Sequence, residues 1–170
     1  MDILKTAVDW TKAEMLSSSF FILFGIGFMA ASLGFWQVGK TEIAKAYVIP
    51  LLIAGVLLLI IGLGIFIPAK ARVTGFAEAY AMDAQAFISA ELAKAERILG
   101  EYRIAVYRVI PLIVALCAVL FVVFSGPVWR ASFVTTISMM AVIMMIDTNA
   151  NTRLEAYKIA LAEADAQIGK

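Results

Sequence analysis

Two apolar runs joined by a tight turn decide the fold, and they occupy residues 109–147, VIPLIVALCAVLFVVFSGPVWRASFVTTISMMAVIMMID. The only charged residues in this stretch are Arg130 and, at its end, Asp147. A helix needs roughly 20 apolar residues to cross the hydrocarbon core of a bilayer. The Ser-Gly-Pro sequence at 125–127 is typical of a turn. The stretch therefore predicts a transmembrane helical hairpin.

Two more charge-free runs, 15–39 and 46–69, precede this hairpin. The chain of 170 residues is 63% hydrophobic with a mean hydropathy of +0.94, which is more apolar surface than a soluble domain of this size can bury. We therefore predict an all-α integral membrane protein with four transmembrane helices. The predicted spans are 17–37, 47–67, 109–125 and 131–149.

Three polar segments carry apolar residues at the three- and four-residue spacing of an amphipathic helix. They predict an interfacial helix over 1–16 with Trp10 at headgroup depth, a long amphipathic helix over 73–107, and an amphipathic C-terminal helix over 150–168. The apolar stripes of the last two helices contain Phe76, Tyr80, Phe87, Tyr102, Leu154, Tyr157 and Leu161. For the long helix, the sequence leaves three packing partners open: the lipid headgroups, the C-terminal helix or a neighbouring subunit.

The basic residues are distributed unevenly between the two sides that four spans create. Both termini and the segment 70–108 share one side, and this side carries all 14 Lys and Arg residues except Lys40, Lys45 and Arg130. The positive-inside rule then places the termini and the amphipathic helices in the cytoplasm. We expect a plasma membrane of the bacterial inner-membrane type. The net charge of +1 gives no electrostatic reason to expect nucleic-acid binding.

Most catalytic and metal chemistry is missing from the composition. The chain has no histidine, and its only cysteine is Cys117, in the middle of the third span. The four methionines of the 131–149 span could hold copper(I), but without histidine or cysteine on that helix they are better explained by packing. We predict no enzyme activity, no cofactor and no metal site.

Small residues form a face on the first span, where Gly27 and Ala31, and likewise Ala30 and Gly34, are four positions apart. Such a face allows another helix to approach closely. The favoured interpretation is packing against the second span within the chain. The alternative is a contact between subunits.

Arg108 and Asp147 stand at the ends of neighbouring antiparallel spans, which should bring both charges to the cytoplasmic edge of the membrane. An interfacial ion pair is the simpler interpretation. A carboxylate that handles a proton or a cation is the alternative, because ionisable groups at membrane depth are often functional.

The fourth span carries a polar group of residues, namely Ser132, Thr135, Thr136 and Ser138, with Met139 beside them. Hydrogen bonding between helices is the simpler interpretation. The alternative is the lining of a pore in a ring of subunits.

These features predict a non-enzymatic membrane subunit that self-assembles or docks in a larger inner-membrane complex. A homo-oligomeric channel lined by the fourth span is the second hypothesis. A third is a membrane-surface sensor, which would require the stripe of the 73–107 helix to bind lipid.

Overall fold

A computed structural model describes residues 3–168, and this part of the chain is entirely helical apart from short turns, with no strand. Four continuous helical stretches are long and apolar enough to cross a membrane, in agreement with the predicted fold class. The helices are α1 (Ile3–Val38), α2 (Glu42–Ala46), α3 (Val48–Met82), α4 (Ala84–Ile104), α5 (Ile110–Val123) and α6 (Pro127–Ile168), with a π-helical turn at Ala105–Val109.

The long helices extend well past the predicted spans and pack together again beyond them. We call residues 3–16, 70–104 and 150–168 the polar end, and the remaining helical segments the apolar part. Each region has its own core. One is centred on Ile88, Leu154 and Leu161 in the polar end, and the other on Phe21 and Leu58 in the apolar part.

The predicted interfacial helix over 1–16 is not a separate element, as far as residues 3–16 are described. It is the first part of α1, which continues without a break into the first span. Ile3 and Ala7 are buried in the core of the polar end, and the Trp10 ring stacks on Tyr157 with 4.7 Å between ring centroids. The prediction of a separate interfacial helix was wrong, because this segment is part of α1 and packs on its own chain, whereas the position of Trp10 at headgroup depth stays a prediction.

The single helix predicted over 73–107 was also wrong, because the chain breaks at Asp83. This residue has extended backbone angles, and its side-chain Oδ1 accepts a hydrogen bond from the Ala86 N–H at 2.8 Å, so that it caps α4. Aspartate is a favoured N-cap because it satisfies a free N–H of the first turn. The stripe is therefore divided between α3, which runs on through Pro68 to Met82, and α4.

A π-helical turn joins α4 to α5 and accommodates a proline. The N–H of Ile110 bonds to the carbonyl of Ala105, five residues back, immediately before Pro111. A proline inside a helix removes a backbone donor and crowds the preceding turn. The wider π turn allows the helix to continue from the polar end into the third span without a break.

In the apolar part, α1 and α3 pack closely through glycines. A Cβ atom on Gly25 would lie 2.9 Å from the backbone oxygen of Gly55, and one on Gly62 would lie 3.0 Å from the backbone nitrogen of Ile22. The Ser32 hydroxyl also donates to the Val48 carbonyl at 2.6 Å, which joins the far end of the pair. Backbones this close gain dispersion energy along the whole contact.

α5 has the fewest neighbours of the long helices. Within residues 3–168 it packs on α6 alone, whereas α6 also contacts α1, α3 and α4. Apolar side chains along its other faces are exposed, including Leu112, Leu116, Val119 and Val122. α6 is thus the central helix, and α5 lies at the edge.

Candidate functional site

The seven predicted stripe residues all belong to the core of the polar end. Phe87 contacts Phe76 and Tyr80 edge-on, with ring centroids 5.4 and 5.7 Å apart. Leu154, Tyr157 and Leu161 of α6 are buried in the same cluster, and Tyr102 packs against it. The sequence left three packing partners open for the apolar stripe of the long helix. In the structure, helices of the same chain cover this stripe. A lipid-binding stripe on 73–107 was therefore wrong, because Phe76 and Phe87 face inward.

Polar side chains are enclosed in this core, and of these the sequence analysis identified only Tyr157. The Tyr157 hydroxyl donates to Glu91 Oε2 at 3.1 Å, and Glu14 pairs with Arg72. The guanidinium of Arg72 lies 5.9 Å from the centre of the Trp10 ring. The sequence contained one signal for the pairing of Glu14 with Arg72, because these residues flank the predicted spans of two neighbouring antiparallel helices.

Both carboxylates of this network are harder to ionise than in water. Burial raises the pKa of Glu14, and the charge and hydrogen bond of Arg72 only partly offset this effect. Burial also raises the pKa of Glu91, against the hydrogen bond from Tyr157. Perturbed acids can mark an active site. Here the adjoining cavity, beside Trp10 and Glu14, measures about 20 Å³, which is room for roughly one water molecule and not for a substrate.

A larger cavity of about 320 Å³ lies between α3 and α6, and it brings together four of the five predicted pore-lining residues. Ser132, Thr135, Thr136 and Met139 line it. Ser138 does not, and its hydroxyl bonds to the carbonyl of Val134 in its own helix at 2.9 Å.

The other wall of this cavity is formed by α3 and the end of α2. The polar face of α6 therefore faces a helix of the same chain. Apolar residues such as Ile53 and Leu57 form this wall, and Lys45 lies at one end. Thr135 is 3% exposed, and its Oγ1 has no hydrogen-bond partner. The predicted interhelical hydrogen bonds are thus absent from this face within residues 3–168.

The predicted ion pair between Arg108 and Asp147 does not form. Arg108 is exposed in the π-helical turn, and no ion pair within residues 3–168 includes either residue. Burial raises the pKa of the Tyr102 phenol, and the negative charge of the half-buried Asp147 nearby adds to this effect. The π turn rotates α5 relative to α4. The predicted ion pair assumed two regular antiparallel helices and did not include this rotation.

The small-residue face of α1 points away from the chain. Gly27, Ala30, Ala31 and Gly34 are all exposed, and a Cβ atom on either glycine would meet nothing within 4 Å. The favoured interpretation, packing on the second span, was therefore wrong for these four residues. Gly25 is the residue that packs there, two positions earlier and on a different side of the helix.

A groove of about 500 Å³ separates α1 from α6 at the border between the apolar part and the polar end. Its polar wall includes Ser17, Asn149, Thr152 and Arg153, and its apolar wall includes Leu16, Phe20, Met145 and Ile146. The Arg153 guanidinium donates a hydrogen bond to the Ser17 hydroxyl and bridges the two helices. The sequence analysis did not identify this groove, because it depends on how α1 and α6 meet.

Among the described residues, no three side chains of aspartate, glutamate or cysteine come together as metal ligands. Comparison with known proteins gives no match to a family model, to a curated protein or to a solved structure.

Proposed function

We propose that this chain is a non-enzymatic membrane protein that self-assembles, or docks in a larger inner-membrane complex, through helix faces in the apolar part. The position of α5 carries the proposal. This helix has one neighbour among the described helices, and its remaining faces are apolar and exposed. A partner helix would complete its packing, although lipid tails would also solvate it.

The outward small-residue face of α1 supports the same proposal. Hydrophobic burial does not drive helices together inside a bilayer, so association depends on close packing. Gly27, Ala31 and Gly34 leave the α1 backbone open to close approach from outside the chain. The polar end contributes less, because its apolar stripes are already buried within the chain.

The first experiment is the mass of the complex purified in a mild detergent, with any co-purifying proteins identified. We expect a complex larger than one chain. The double variant Gly27→Leu, Ala31→Leu should reduce it toward the single chain, since two bulky side chains would prevent close approach at this face. Gly64→Leu is the matched control, because Gly64 is also an exposed glycine of the apolar part with open space around it.

Two results would contradict the proposal. One is a homogeneous single chain without partners in mild detergent. The other is equal loss of assembly in the Gly64→Leu control, which would mean that any added bulk disturbs the protein.

An oligomeric channel lined by α6 is the alternative function. The polar residues of α6 support it, but within one chain Ser132, Thr135 and Thr136 face α3, so a pore at a shared axis would require α3 to move aside. A channel should conduct ions in liposomes, and Thr135→Leu should reduce the conductance. A structural subunit should conduct nothing.

A further inference from the structure

The groove between α1 and α6 is, we propose, a binding site for an anionic phospholipid of the leaflet that adjoins the polar end. Its phosphate would pair with Arg153, and an acyl chain would lie along the apolar wall. This inference is independent of whether the chain self-assembles.

The groove lies at the depth that a lipid headgroup occupies. Ser17 begins the first predicted span, and Asn149 ends the fourth. These two residues face the same cavity from opposite helices. The polar wall continues toward the polar end with Thr152 and Arg153, and the apolar wall continues in the direction of the membrane. A phospholipid has the same division between a charged head and an apolar tail.

Arg153 forms no ion pair within the described residues, and the two carboxylates that line a smaller cavity with it are Glu14, which pairs with Arg72, and Asp9. Its guanidinium is half-buried, and its hydrogen bond goes to the neutral hydroxyl of Ser17. A guanidinium has five N–H donors in a planar fork that matches phosphate oxygens. A partly buried charge that forms no ion pair is costly, so a phosphate at this position would be stabilising.

The charge of the groove favours a lipid with a net negative charge. Arg153 is the only ionised side chain that lines it, and no carboxylate is present to pair with the ammonium group of a zwitterionic headgroup. Asn149 uses one N–H for the Met145 carbonyl, at 3.0 Å, and its amide oxygen is open to accept from a headgroup hydroxyl. Basic pockets between transmembrane helices are a recurring form of lipid headgroup site.

The apolar wall is exposed where an acyl chain would lie. Leu16 is 59% exposed, Phe20 46% and Met145 51%, and all three line the groove. A flexible chain could fill this space without any change in the helices.

The test is native mass spectrometry of the full-length protein released from detergent and titrated with phosphatidylglycerol or with phosphatidylcholine of the same acyl chains. We expect the wild type to bind phosphatidylglycerol more tightly. Arg153→Gln should reduce this preference about fivefold, which corresponds to one basic residue near an anionic surface. Arg153→Lys, which keeps the charge but loses the fork, should retain part of it.

Arg108→Gln is the matched control. Arg108 is an exposed arginine beside the third predicted span, and it does not line the groove. This variant should keep the preference, because it removes the same charge elsewhere.

Two results would overturn the proposal. The wild type could show no preference for the anionic lipid. Arg108→Gln could reduce the preference as much as Arg153→Gln, which would indicate general surface attraction. Helical circular dichroism of each variant verifies that it is folded.

Discussion

At the residue scale, Thr135 departs from the packing rules of an apolar core. Its hydroxyl is buried beside the α3–α6 cavity and has no hydrogen-bond partner. A buried polar group without a partner costs about 1–3 kcal/mol. Threonine hydroxyls in helices commonly bond to a carbonyl one turn back, as the Ser132 hydroxyl does here with Val128 at 2.8 Å.

Replacing Thr135 with valine removes the unpaired hydroxyl and keeps the shape of the side chain. We therefore expect Thr135→Val to increase the free energy of unfolding by about 1 kcal/mol. A denaturant titration in mixed micelles measures this change. Thr136→Val is the control, because Thr136 lines the same cavity but is less buried, and its effect should stay within about 0.5 kcal/mol. A clear loss of stability in Thr135→Val would show that the hydroxyl has a partner.

At the element scale, the contact between α1 and α3 determines which side of each helix is inside. Gly25 and Gly55 allow the two backbones to meet, and the Gly27–Gly34 face is consequently turned outward. The outward face has small residues four positions apart, whereas Gly25 has Phe21 and Met29 at those positions. The tertiary contact nevertheless uses the side of Gly25, which has Gly55 opposite it on α3.

The smallest possible side chain should test this contact. In Gly55→Ala the new Cβ would lie 2.8 Å from the Gly25 carbonyl oxygen and 3.0 Å from the Met29 nitrogen, and neither backbone atom can move alone. We expect a loss of about 1–3 kcal/mol in the free energy of unfolding, which is typical of overpacking.

Gly64→Ala serves as the control for this prediction. Gly64 has open space around it on the same helix, so the added methyl should be neutral or stabilise the helix by up to about 1 kcal/mol. Equal effects of the two alanines would mean that α1 and α3 do not meet at Gly55.

At the scale of the whole molecule, the uneven charge distribution predicts an orientation. The polar end carries most of the lysines and arginines, and the short turns at the opposite end carry Lys40, Lys45 and Arg130. The positive-inside rule accordingly predicts a cytoplasmic polar end.

Cysteine labelling can test this orientation because Cys117 is the only native cysteine. In a Cys117→Ala background, Ser125→Cys should react with a membrane-impermeant maleimide on intact cells, since Ser125 is exposed in the turn before α6. Ser89→Cys, exposed in the polar end, should react only after the cells are permeabilised. The reverse labelling pattern would invert the orientation.

Hydropathy and periodicity alone determined much of this protein. Charge-free runs are directly visible in the sequence and correspond to the four apolar helices, because span length is a local property. The stripe residues were also predictable, since a helix places residues three and four apart on one side. The sequence did not predict which partner covers each stripe.

Contacts between distant segments were decided by the tertiary structure. The pairing of Glu14 with Arg72 and the groove beside Arg153 both depend on how far one helix is rotated and shifted against another. The pattern along a helix fixes which residues share a side, but packing in three dimensions decides which side meets a neighbour. For this reason the sequence predicted four membrane helices and their apolar faces, whereas only the tertiary structure placed the faces of α1 and brought Arg153 next to Ser17.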